Sequence, residues 1–232
     1  MQRHRMIKHN RPDLGACMER GACRGDHSRG FSLVELLIAM AVGMVILGAM
    51  FGLFTIQNKH LGTQDVITEM QQNARMAMDM ISREVRMAGY NPTGTLTWCT
   101  GTTTTAAACV GIKNAAANTI SFTADLNGNG ALTAGSANPN ENIVYDRYLS
   151  SGVYALGRTS NGVKQPVIEY LDLLSFSYLD ANGAATTNLA SIREIMITIQ
   201  TKASKMDPAY AANGGYRTYT LTSKVAVRNL AL

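Results

Sequence analysis

Histidine, cysteine, proline and charge are all in short supply in this chain. Four histidines occur in 232 residues (His4, His9, His27 and His60), three of them within the first thirty. A Ser-His-Asp site would therefore have to be built on His60. No G-x-S-x-G, no P-loop and no G-x-G-x-x-G after a strand is present, and the carboxylates are scattered, so no enzymatic constellation is supported. The four cysteines are Cys17, Cys23, Cys99 and Cys109. With no histidine after His60, the last two lack the further ligands that a zinc site needs. Five prolines beside 21 glycines, with 46% hydrophobic and 16% charged residues, exclude a collagen-like chain and disorder along the whole length.

An excess of positive charge is present, but it is local. Residues 1–30 hold seven basic residues (Arg3, Arg5, Lys8, Arg11, Arg20, Arg24, Arg29) against three acidic ones (Asp13, Glu19, Asp26). The rest carries fourteen basic and thirteen acidic residues, so a basic groove for nucleic acid is not expected. The plain reading of Lys202, Lys205, Arg217, Lys224 and Arg228 is ordinary solvated charge.

After the basic tail comes Phe31 to Ile56, FSLVELLIAMAVGMVILGAMFGLFTI, whose one charge is Glu35. As a helix this run would rise about 39 Å, enough to cross the ~30 Å hydrocarbon core with some tilt. A domain this small rarely encloses so long an apolar helix on every side, and a cleavable secretory signal would have a shorter core and a small-residue site after it. The tail then lies on the cytoplasmic side and the C-terminal bulk across the membrane. Glu35 sits five residues into the run, where a carboxylate costs several kcal/mol unless it snorkels or meets a cation. A free amine at Phe31, released by a cut after Gly30, would be such a cation, best used between neighbouring copies.

The stretch Arg29-Gly30-Phe31-Ser32-Leu33-Val34-Glu35-Leu36-Leu37-Ile38-Ala39-Met40 closely resembles the class III signal of type IV pilins and type II secretion pseudopilins. The resemblance implies cleavage between Gly30 and Phe31 by a prepilin peptidase and N-methylation of Phe31, which keeps the amine's charge. It also implies contact of Glu35 with the amino terminus of an adjacent subunit. Two features depart from the pattern: Gly52 stands where many major pilins carry proline, and thirty residues is long for a leader, so Met6 or Met18 are alternative starts.

Beyond the run, Ile67, Met70, Ala74, Ala77, Ile81, Val85 and Ala88 recur at helical spacing on one face, with Gly89 as the C-cap and Pro92 blocking continuation. One helix over 31–88, about 87 Å long, is the expectation. Met76, Met78 and Met80 are assigned to packing on a sheet. Residues 93–118 read as a Thr/Ala-rich loop. Strands are expected at Thr119–Ala124, Asn142–Tyr148, Gly152–Arg158, Leu171–Leu179, Glu194–Thr201 and Tyr216–Val227, with a turn at 180–183. The fold class is α+β and pilin-like: one long N-terminal helix, then an antiparallel β-sheet. The expected divisions are a cleaved leader (1–30), a transmembrane and assembly helix (31–56), an amphipathic continuation (57–92) and a β-rich globular domain (93–232). Cys99 and Cys109, once exported, are expected to form a disulfide; the alternative is a pair of free thiols.

Asp125-Leu126-Asn127-Gly128-Asn129-Gly130 matches the opening of a calcium loop, with oxygen donors at Asp125, Asn127 and Asn129. The closing acid is missing, since position 12 is Ser136 and Glu141 lies too far along for the standard loop. A Gly/Asn hairpin turn explains the same residues. No other cofactor is expected.

Segments 123–130, 140–145, 174–180, 214–218 and 227–230 are similar to PilW-type minor pilins. This implies a subunit held by the inner-membrane assembly machinery and then built into a pilus, through its N-terminal helix, beside other minor and major pilins. An initiating or tip complex with an adhesin is the implied place. A type II secretion pseudopilin of the J class shares the same N-terminus, and a membrane-anchored periplasmic binding or adhesion module is the alternative from another class.

Overall fold

Hydrophobic periodicity changes at the middle of one unbroken helix, and the fold follows from that change. The computed structural model describes residues 30–101, 109–132, 141–160 and 162–230. Helix α1 spans Leu33–Met87 without interruption at Gly43, Gly48 or Gly52. Two compact units divide the chain, residues 1–53 and Phe54–Leu232. In the first unit nearly every described side chain is exposed, including Leu33, Val45, Phe51 and Leu53.

In the second unit α1 becomes one-sided. Met70, Ala74, Ala77, Met78, Ile81 and Val85 are buried, while Arg75, Asp79 and Arg83 on the other faces are exposed. Ile67 is only half-buried. The methionine expectation is corrected: Met78 is buried and Met80 partly so, but Met76 is exposed. Gly89 ends the helix with φ +82°, a left-handed conformation that favours glycine. A Cβ there would lie 2.8 Å from the Asn229 carbonyl oxygen, and the Gly89 N–H donates to Thr123 O at 3.0 Å. This glycine therefore lets the helix end close against a strand.

Among the described residues, nine strands form two sheets. The first has the order β1-β2-β3-β4-β5-β6, from β1 (Thr97–Trp98), β2 (Cys109–Ala115), β3 (Thr119–Thr123), β4 (Asn142–Ser150), β5 (Val153–Ser160) and β6 (Val163–Glu169). The second is β7-β8-β9, from β7 (Leu171–Leu179), β8 (Glu194–Lys202) and β9 (Thr218–Ala226). All pairings are antiparallel except β1–β2, which is parallel. The hairpin β4–β5 turns on Ser151 and Gly152, both with positive φ, as a two-residue hairpin turn requires.

The sequence expectation of a loop over 93–118 is corrected by β1 and β2, and the single sheet by two. Strand β6 was not expected at all. The six expected strands lie within a few residues of β3, β4, β5, β7, β8 and β9. One core joins the helix face to both sheets: Ile81, Val85, Phe122, Tyr145, Leu156, Phe176, Ile195, Ile197 and Ile199 belong to a single buried cluster. Alternate residues of β8 face it, each fully buried branched side chain contributing about 1.5–3 kcal/mol of apolar burial.

Cys99 and Cys109 are joined by a disulfide, with Cα atoms 4.9 Å apart. The bond ties the chain just after β1 to the first residue of β2, where Cys99 N–H also donates to Val110 O. Closing a ten-residue separation constrains the unfolded chain by about 3 kcal/mol. Non-reducing peptide mapping of exported protein is expected to find the two linked, and Cys99→Ser to lower the melting temperature by several degrees. Quantitative alkylation of both thiols without reductant would contradict this.

Candidate functional site

Two regions carry chemistry, one in each unit. In the first, Gly30, Phe31 and Ser32 precede the helix and are exposed, Phe31 at 83%. Ser32 caps α1: its Oγ accepts from Val34 N–H at 3.3 Å, and its carbonyl accepts from Leu36 N–H at 3.1 Å. Glu35 lies in the first turn, where a carboxylate complements the helix dipole. The spacing Ser32-x-x-Glu35 is that of a capping box, a signal that the sequence also carries. The peptide bond after Gly30 is thus presented at the foot of a capped helix. Basic residues 3–29, Cys17 and Cys23 lie outside the described residues.

Among the described residues nothing covers the apolar side chains that follow. The most apolar 18-residue window has a mean hydropathy of 2.5 and none of it is buried. Phe31, Leu36, Ile38, Val42, Leu47 and Phe54 are each more than half exposed. A surface of this extent calls for lipid or for other helices.

In the second unit, the ionic contact between helix and sheet is formed by Glu84. Its carboxylate takes both the Nε (3.0 and 3.1 Å) and an Nη (3.0 Å) of Arg158 on β5, and accepts the Tyr145 hydroxyl of β4. The Arg158 and Glu84 side chains keep 14% and 22% of their exposure. Burial, with the Glu84 carboxylate beside it, pushes the Tyr145 hydroxyl well above the usual phenol range. It therefore stays a neutral donor. Nothing about this cluster opens to a substrate, and it reads as structural.

The Asp125 loop follows β3. Asp125 is fully buried and its N–H donates to Tyr90 O at 2.8 Å, fastening the loop to the segment after α1. Its Oδ1 accepts from Gly128 N–H (2.9 Å) and Asn129 N–H (3.2 Å), and its Oδ2 from Gly130 N–H (3.0 Å). The Oδ1 atoms of Asn127 and Asn129 accept from Asn129 N–H (2.9 Å) and Ala131 N–H (2.8 Å). Glu141, which the sequence placed too far along, is brought against this loop: its Oε1 accepts from Asn127 N–H at 3.4 Å. Burial, reinforced by the Asp125 charge, raises the Glu141 carboxyl above its usual range against the pull of the Asn127 and Leu126 N–H groups. Ser136 lies outside the described residues.

A one-sided helix on antiparallel sheets, with a Gly-Phe junction and Glu35 at the head of an uncovered apolar stretch, defines a type IV pilin-like protein. Comparison with known families bears this out. Residues 26–51 match the prokaryotic N-terminal methylation motif, and residues 64–227 match the family of prepilin peptidase-dependent protein B. The chain belongs to the prepilin peptidase-dependent protein B family. A type IV-like pilin from Thermus thermophilus, TTHA1219, is a structural neighbour, with 11% identity and a TM-score of 0.42, covering 69% of this chain and 98% of that one. A comparison with curated proteins gives no match. Type IV pilin-like character, the N-methylation motif and a tie to pilus assembly thus rest on family membership.

Proposed function

We propose that this chain is a minor pilin of the PilW type. The leader is cut after Gly30, Phe31 is N-methylated, and α1 holds the subunit in the inner membrane until it is drawn into a pilus beside other pilins. The N-terminus faces the cytoplasm and the sheet-bearing unit the periplasm, then the cell surface. A place in the complex that starts or tips the filament, next to an adhesin, completes the reading.

The observation that carries this is the uncovered apolar stretch that begins immediately after Gly30-Phe31 and holds one carboxylate. Such a helix is served by lipid before assembly and by equivalent helices afterwards. Glycine rather than proline at position 52, and the PilW-like segments of the second unit, support a minor over a major subunit.

Gly30→Leu is expected to abolish cleavage, since a side chain would intrude where the peptidase meets the junction. Immunoblotting of membranes should show only the longer species, absent from sheared filaments. Normal processing of Gly30→Leu would overturn the assignment of the cleavage site. Co-purification from native filaments, with partners identified by mass spectrometry, tests the pilus assignment itself.

A further inference from the structure

We infer that the Asp125 loop and Glu141 together form a calcium site. Among the described residues no three His, Cys, Asp or Glu side chains gather as a metal cluster, so a soft or borderline metal is not served. What the loop and Glu141 offer is oxygen, from two carboxylates and two side-chain amides. Oxygen donors of that kind suit a hard cation.

The turn by itself would prove little, because aspartate and asparagine form such loops without metal. The decisive feature is Glu141. It is 2% exposed, and its Oε2 is buried with no hydrogen-bond partner among the described residues. A carboxylate oxygen left so is costly unless something positive meets it. Its other oxygen is held by the backbone of Asn127, inside the same loop. The orphan therefore belongs to a carboxylate held against the backbone of the loop that starts at Asp125. In chain order Glu141 is the seventeenth residue counted from Asp125, which is why the twelve-residue rule misses it.

The second ligand group is also prepared. Asp125 Oδ1 spends both lone pairs on the Gly128 and Asn129 N–H groups, but Asp125 Oδ2 and Asn129 Oδ1 each accept one backbone bond and keep a second lone pair. Asn127 and Asn129 are exposed, so water can complete six to eight ligands. Calcium tolerates such irregular geometry, whereas magnesium demands a near-ideal octahedron. Bound there, the ion would neutralise Asp125 and Glu141 and fasten the loop to Tyr90 at the end of the helix.

The test uses the full chain in detergent, stripped with chelator and titrated with calcium chloride or magnesium chloride. Calorimetry is expected to show one calcium per chain, with affinity in the 10⁻⁴–10⁻³ M class of extracellular modules, on the order of that range or tighter. A hundredfold excess over Kd should raise the melting temperature by about 5–10 °C, and magnesium should do less. Glu141→Gln should lose at least about tenfold in calcium affinity while melting no lower than wild type in chelator, because the buried charge is gone. Asn127→Ala alters an exposed side chain and should weaken binding with the fold intact, which keeps the test decisive if Glu141→Gln misfolds. Absence of binding at about 10 mM calcium, or unchanged binding in both variants, would overturn the site. A Glu141→Gln chain that is more stable than wild type at every calcium concentration would show instead a neutral, buried carboxyl.

Discussion

Glu35→Ala is expected to be cut and inserted as wild type is, yet to be depleted from assembled filaments by about two to four orders of magnitude. A carboxylate near the end of a spanning helix can reach the interface, so the free subunit tolerates either residue. Inside a filament of apolar helices it has no such escape, and the amino terminus of a neighbour would neutralise it. Removing one member of a buried charge pair costs about 3–5 kcal/mol, the origin of the expected factor. The capping spacing from Ser32 supplies the control. Glu35→Gln keeps the ability to cap the helix but loses the charge. If Gln restores incorporation, the role of position 35 is local helix geometry; if Gln fails as Ala does, the charge is what assembly uses. Quantitative blotting of sheared filaments against membranes reads both.

Glu84→Ala is expected to destabilise the second unit strongly. It removes the carboxylate that Arg158 and Tyr145 both face at the join of helix and sheet. A loss of about 3–5 kcal/mol is expected for breaking a largely buried pair, or roughly 6–20 °C in melting temperature for a unit of this size. Replacing both charges together, Glu84→Gln with Arg158→Met, should recover most of that loss, because no charge is then left without its counterpart. Thermal melts of Glu84→Gln, of Arg158→Met and of the double variant form the cycle. A loss under about 1 kcal/mol for Glu84→Ala would show that solvent screens the pair as it does a surface ion pair.

The elements that could be read from the sequence are those in which burial imposes a period. Ile195, Ile197 and Ile199 alternate because one face of β8 meets the core, and Met70, Ala74, Ala77, Ile81 and Val85 recur because one face of α1 does. Where burial imposes no period, the sequence was silent. Strand β6 is the outer strand of its sheet; its first four residues, Pro166 among them, are exposed, so it shows no alternation. An edge position is where a strand accepts proline. Strand β2 failed for the opposite reason: its first four residues are all buried, and Gly111 with φ +119° breaks the pattern.

The two candidate sites differ in the same way. Gly30, Phe31 and Glu35 lie within six residues, so local order alone displays the motif. Glu84, Tyr145 and Arg158 are brought together across more than seventy residues, and Glu141 reaches Asn127 only through the pairing of β3 with β4. Contacts of that span are set by topology, which pattern reading does not supply.

The central claim is that this chain enters filaments as a processed, N-methylated subunit. Intact-mass measurement on protein recovered from native filaments tests it most directly. The expected mass is that of the translated chain without residues 1–30, raised by one methyl group on Phe31 and lowered by two hydrogens for the Cys99–Cys109 bond. A filament-borne chain that retains residues 1–30 would contradict it.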